Sequence, residues 1–306
     1  DGKPKLVENP LTGTLQPWRV TRAYGCNNII ASENLLTFRS GAAGFYDLKS
    51  QSGTGNLGGF KSGCTSNLVV ADGVLNAPDY TRTCSCAYQN QTSLGLVHMP
   101  EMEMWTVNHE ARLTEPGQRV KRIGINLGAP GDRIDSRGTL WVEYPTVGGE
   151  HADLDIRVDG DISWYRSNSL KFSGDGPAWI GASGLVNATR LVIPMSVSEP
   201  AKEDEEKGGT SVNTNVAASQ PQPTVEALPH TVRLHFSDPD STKNAERSFG
   251  VSLQGHTVIA GLDIMAAAGR PQKTIVREFR DVSIGNELTI DLVVQHGQTI
   301  LSGVEI

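Results

Sequence analysis

Five consecutive residues, Trp164-Tyr165-Arg166-Ser167-Asn168, put an indole, a phenol, a guanidinium and an amide side by side. A sugar presents apolar C–H faces and a rim of hydroxyls, so a flat aromatic ring beside Arg166 and Asn168 is the kind of surface that would hold one. Trp179, just after Asp175-Gly176-Pro177, is the nearest rival, and Trp141 and Tyr144 stand close to Asp132 and Asp135. The competing role for each tryptophan is core packing, because large aromatics are mostly buried. Asp159-Gly160 reads as a type I′ turn at the end of an alternating strand, and the five residues follow it. That places them at the end of a sheet, where binding loops gather.

Other chemistry is poorly supplied. Asp153, Asp155, Asp159 and Asp161 are numerous enough for a hydrolytic pair, but alternation points them to the solvent face of a hairpin. They also miss the calcium-loop pattern, since Trp164 stands where the closing glutamate belongs. The seven histidines are scattered and form no His-Glu-x-x-His motif. His235 falls within a strand, where a structural role is the simpler one. No Gly-x-Ser-x-Gly elbow occurs. The expectation is a chain without catalytic residues, metal or cofactor.

The four cysteines, Cys26, Cys64, Cys84 and Cys86, all lie in the first third. An even, clustered set suggests disulfides and an oxidising compartment. One residue between Cys84 and Cys86 is short for a zinc-ligand pair. Each is expected to bond Cys26 or Cys64 rather than the other, with the connectivity open.

The elements that must position these residues read as strands. Up to about residue 108, brief apolar runs such as Leu35-Leu36-Thr37-Phe38 and Asn67-Leu68-Val69-Val70 are separated by glycines, as in β-meanders. From about Arg119 the alternation is cleaner. Lys121 to Leu127 and Asp153 to Val158 read as half-buried strands, and the series continues through Arg190–Met195, Thr231–Phe236, Ser248–Leu253, Ile275–Phe279 and Leu288–Val294. Ile264 to Ala268, stopped by Gly269, is a single helical turn. Ser198 to Leu228, with an acidic run and a Ser/Asn/Thr/Gln/Pro tract, cannot bury enough apolar surface to order itself and reads as a flexible loop within the second unit. The fold class is all-β, with a segment at 1–108 and a sandwich at 119–306 interrupted at 198–228.

A length of 306 residues suits two domains, and a net charge of −7 argues against a nucleic-acid backbone as partner. No run of eighteen apolar residues exists, so no membrane-spanning helix is expected. The chain begins at Asp1 rather than Met and is expected to be a processed or excised piece.

Two stretches resemble known families. His230 to Ile306 resembles the C-terminal half of malectin-type domains, through Val232-Arg233-Leu234-His235-Phe236, Arg247-Ser248-Phe249-Gly250-Val251, Gly255-His256-Thr257-Val258, Leu262-Asp263-Ile264 and Leu301-Ser302-Gly303-Val304-Glu305-Ile306. Arg122 to Ala129 looks like that domain's first strand. The resemblance implies a jelly-roll-type β-sandwich that binds glucose-containing oligosaccharides through loop aromatics and an aspartate. Here the turn Gln295-His296-Gly297-Gln298 carries no aspartate where the family pattern places one. Residues 1–108 resemble the final blades of PQQ-like β-propeller proteins of planctomycete type, through Leu36 to Leu48, Phe60 to Asn67 and Asn76 to Cys84. That implies a disulfide-linked propeller tail whose partner is the rest of a larger, exported protein.

The leading function is thus non-catalytic binding of a glycan or oligosaccharide by an exported module, with Trp164, Tyr165, Arg166, Asn168 and Trp179 as contacts. The alternatives are a structural or protein-interaction module capping a propeller, and a part of a quinone-dependent dehydrogenase. The last fits less well, because such enzymes carry adjacent cysteines and a complete propeller.

Overall fold

The computed structural model describes residues 2–62, 66–78, 92–95, 104–113, 117–147, 154–196, 226–241 and 243–306. The first 107 residues contribute short strands: β1 (Leu6–Glu8), β2 (Leu15–Pro17), β3 (Ile30–Ala31), β4 (Leu35–Ser40), β5 (Ala42–Asp47), β6 (Thr54–Asn56), β7 (Val69–Ala71), β8 (Val74–Ala77), β9 (Thr92–Gly95) and β10 (Thr106–Val107). They form a β1–β2 pair, a five-stranded sheet ordered β10-β6-β5-β4-β3, and a three-stranded sheet β7-β8-β9.

The remaining strands build two larger sheets. They are β11 (Gly124–Leu127), β12 (Arg133–Ile134), β13 (Leu140–Tyr144), β14 (Arg157–Arg166), β15 (Ser173–Gly174), β16 (Ser183–Pro194), β17 (Leu228–Phe236), β18 (Ser248–Leu253), β19 (His256–Leu262), β20 (Lys273–Ile284), β21 (Glu287–His296), β22 (Ile300–Leu301) and β23 (Gly303–Glu305). The seven-stranded sheet runs β12-β13-β11-β23-β17-β20-β15, and the six-stranded one β14-β16-β21-β18-β19 with β22 beside β16. Two short helices interrupt them, α1 (Ala178–Gly181) and α2 (Ile264–Ala268). Helix α2 is capped by the Asp263 carboxylate, which accepts from the Ala266 N–H, and ends on Gly269 in the left-handed region.

Alternation explains the core. Val232, Leu234 and Phe236 of β17 are fully buried, as are Ile125 and Leu127 of β11 and Leu288 and Ile290 of β21. Burial of such side chains is the main driving term for a sandwich. Leu11, Ala111 and Leu113 belong to the same cluster, and the Leu11 carbonyl accepts from the Lys121 N–H at 2.7 Å.

Three expectations change. Lys121 to Leu127 was expected to form a half-buried strand, but β11 begins at Gly124 and is buried on both faces. Asp159-Gly160 is not a hairpin turn. It is a bulge inside the ten-residue β14, where Gly160 has φ +128° and a Cβ there would lie 2.5 Å from the Asn187 carbonyl oxygen. Only glycine tolerates that conformation and approach, so the bulge copies the local signature of a turn. Cys26 is exposed in an irregular bend and among the described residues it carries no bridge, its sulfur 3.1 Å from the Tyr24 hydroxyl. Cys64, Cys84 and Cys86 lie outside the described residues, as does residues 198–225 of the expected loop. Among the described residues no helix is long and apolar enough to cross a membrane.

Candidate functional site

On strand β14 successive side chains point to opposite faces. Trp164 faces outward, 37% exposed, with its ring edge-on to Tyr144 at 6.1 Å. Tyr165 therefore faces inward. Its hydroxyl lies 2.8 Å from the Ser302 hydroxyl and donates toward the Gly181 carbonyl at 2.9 Å, and burial pushes its pKa well above the ordinary phenol value. Tyr165 is thus half-buried against the core, with its hydroxyl committed to internal partners rather than to the surface contact expected of it. Tyr165→Phe is expected to cost about 1–3 kcal/mol, because it strips a partner from buried polar groups. Urea denaturation reads that cost; unchanged stability with lost sugar binding would return the phenol to the surface.

The two polar neighbours are already engaged. Arg166 donates through Nε to the Gly128 carbonyl at 2.8 Å, and the Asn168 side chain accepts from the Leu170 N–H at 2.9 Å. Trp179 lies elsewhere, in helix α1. It packs edge-on against both Trp105 and Trp141, at 6.0 and 5.8 Å, and the Arg133 guanidinium sits 4.9 Å from its centroid. The expected five contacts therefore divide between two places. Asp155, Asp159 and Asp161 are exposed, and Asp153 lies outside the described residues.

The tryptophan cluster covers the outer face of the seven-stranded sheet. Trp141 is fully buried there, lying across two strands that offer no side chain beneath it. A Cβ on Gly124 would come 2.1 Å from the indole, and one on Gly303 would come 2.7 Å from Ile180 of α1 and 3.1 Å from Trp141. Glycine at both positions lets the ring and the helix settle directly on the backbone.

Beside this cluster opens a cleft of about 420 Å³. Strand β17 sends Arg233 and His235 into it, from the face opposite Val232 and Leu234. Glu305 comes from β23, Asp135 and Arg137 from the turn after β12, and Asp175 and Gly176 from the turn after β15. Arg137 bridges Asp135 at 3.2 Å and Glu305 at 2.7 Å, while Arg233 bridges Glu278 at 2.7 Å and Glu305 at 3.3 Å. Burial opposes the charge on Asp135. Bonds from the Thr139 N–H, the Trp141 indole and the Arg137 N–H nevertheless hold its pKa below the usual aspartate value. His235 is 2% exposed, and burial, reinforced by Arg137 and Arg233, lowers its pKa to about 4. At neutral pH its imidazole is uncharged.

Three of the residues that line this cleft lie in a stretch that carries a family signature. Residues 210–304 match the Malectin domain family. The malectin match takes in β17 through β22 and the start of β23, and with them Arg233, His235 and Val276. No curated protein matches the chain. Among solved structures, similarity is found to the extracellular domain of ANXUR1 from Arabidopsis thaliana, at 16% identity and a TM-score of 0.41, covering 60% of this chain and 46% of that one. It is also found to Bacteroides uniformis β-glucuronidase 2 covalently bound to cyclophellitol-6-carboxylate aziridine, at 12% identity and 0.39, covering 60% and 17%. The chain thus spans less than half the length of either. Nothing among these supports the propeller resemblance of the first 108 residues.

Sequence reasoning singled out none of Arg137, Arg233 and Glu305 as site residues, and gave His235 a structural role. The available signal was the alternation of β17, which leaves Arg233 and His235 together opposite an apolar face.

Proposed function

We propose that the chain is a non-catalytic carbohydrate-binding module, exported as part of a larger protein, and that the cleft on the outer face of the seven-stranded sheet receives the glycan. The observation that carries this reading is the composition of a cleft to which the malectin match contributes Arg233, His235 and Val276. Its volume falls within the roughly 300–1,000 Å³ usual for small-molecule sites, and carboxylate, guanidinium and imidazole groups line it, with the buried Trp141 packed edge-on against His235. Asp135 and Glu305 are tied to Arg137, and Glu305 also to Arg233. Asp135, its pKa held below the usual aspartate value, is a poor proton donor, which favours binding over hydrolysis.

A glycan array with the full chain tests the reading, run beside Asp175→Ala and Trp164→Ala. The expected outcome is a defined set of glycans that the wild type retains, that Asp175→Ala loses by about tenfold or more, and that Trp164→Ala keeps. Loss on Trp164→Ala alone would move the site to β14.

A second reading, a module that docks onto the rest of a larger protein, is favoured by Leu6 and Leu15. These leucines are 55% and 67% exposed on one face of the β1–β2 pair. An array without any bound glycan would favour it.

A further inference from the structure

Neither ring nitrogen of His235 has a hydrogen-bond partner among the described residues, although both are buried. A buried imidazole without partners forfeits the hydrogen bonds it would make in water. Trp141 meets the ring edge-on at 5.2 Å and offers it no acceptor. The open side is Gly176, where a Cβ would lie 3.1 Å from Cε1 and 3.3 Å from Nδ1 of His235. Glycine at 176 thus keeps any side chain off the Nδ1 edge. Beside it Asp175 is exposed, and among the described residues its carboxylate accepts a single long bond, 3.4 Å from the Val276 N–H.

We propose that His235 and Asp175 form a socket for adjacent hydroxyls of a neutral sugar, and that the socket discriminates against acidic sugars. This rests on the carbohydrate-binding reading above. The imidazole, uncharged at neutral pH, meets a hydroxyl through Nδ1, which donates to it or accepts from it according to the tautomer. The Asp175 carboxylate accepts from the neighbouring hydroxyl. The arginines do not invite an anion, because Arg137 and Arg233 are already paired with Asp135, Glu278 and Glu305. Within the cleft three carboxylates face two guanidinium groups, so a ligand carboxylate would meet net negative charge.

The test is an NMR titration of the full chain, labelled with ¹⁵N-histidine, at neutral pH. The probes are methyl glucoside, methyl mannoside, methyl galactoside and glucuronate, with backbone amides observed in parallel. The expected result is a saturable movement of the His235 ring nitrogens with at least one neutral glycoside, and an affinity for glucuronate at least about tenfold weaker. His235→Gln should weaken that glycoside by about tenfold, as loss of one well-placed hydrogen bond does. If a glycoside moves amides elsewhere but leaves His235 still, the socket is wrong while carbohydrate binding stands. Glucuronate binding as tightly as the neutral sugars overturns the discrimination. If no sugar moves any resonance, both the socket and the reading beneath it fall.

Discussion

Replacing Trp141 by alanine is expected to cost about 3–5 kcal/mol of folding stability, the range for truncating a large buried aromatic. The residue is fully buried although it points away from the main core. It lies between Gly124 and Gly303 below, Trp179 above and His235 at its edge. Its indole N–H also donates to Asp135 at 3.1 Å, so alanine would remove a partner from a buried carboxylate as well as leave a void. Trp141→Phe separates the two effects, since it keeps an aromatic ring and loses the N–H. Denaturant midpoints of wild type and both variants decide the matter. A cost below about 1 kcal/mol for the alanine variant would mean that the outer face repacks and that the tryptophan cluster is not what shapes the cleft.

The burial of Trp141 also shows why part of this fold was legible and part was not. Period-2 alternation in Thr231 to Phe236 and Leu288 to Val294 reports one buried face, and β17 and β21 appear where it places them. Alternation cannot report a second covered face. In β11 the outward residues are Gly124 and Asn126, and what buries them arrives from afar, through Trp141 and the turn carrying α1. The same limit misread Asp159-Gly160, because a bulge and a hairpin turn make the same local demand for positive φ. Once that dipeptide is placed inside a continuous strand, Trp164 and Tyr165 must face opposite ways, and the five-residue cluster comes apart. The cleft was hidden for another reason. Asp135, Asp175, His235 and Glu305 are far apart in sequence, and only the order β12-β13-β11-β23-β17-β20-β15 gathers them.

The wild-type chain is expected to lose about 3 kcal/mol of stability between pH 6.5 and pH 4 through His235 alone. The sign follows from the folded state holding the neutral imidazole. Burial, Arg137 and Arg233 lower the folded pKa to about 4 from an ordinary 6.5, against weaker opposing contributions from Asp135 and Asp175. Above pH 6.5 the residue is neutral in both folded and unfolded chains and has no pH-dependent effect. As pH falls through 6.5 the unfolded chain takes up a proton that the folded chain refuses, and stability declines until the folded form also protonates near pH 4. At about 1.4 kcal/mol per pH unit, the interval corresponds to about 3 kcal/mol. Asp135 and Asp238, whose folded pKa values lie below the ordinary carboxylate range, contribute stability that is lost only further down, as pH falls below about 4. The window from 6.5 to 4 therefore separates the histidine from these two carboxylates. His235→Gln, which cannot take up the proton, isolates it. Urea unfolding of both proteins at pH 7, 6, 5 and 4 should show the stability difference between them move in favour of the variant by about 3 kcal/mol across the series. Parallel pH profiles would mean that His235 protonates in the folded chain as readily as in the unfolded one. The imidazole would then be charged near pH 6, and the cleft would hold a cation where the neutral-sugar socket requires none.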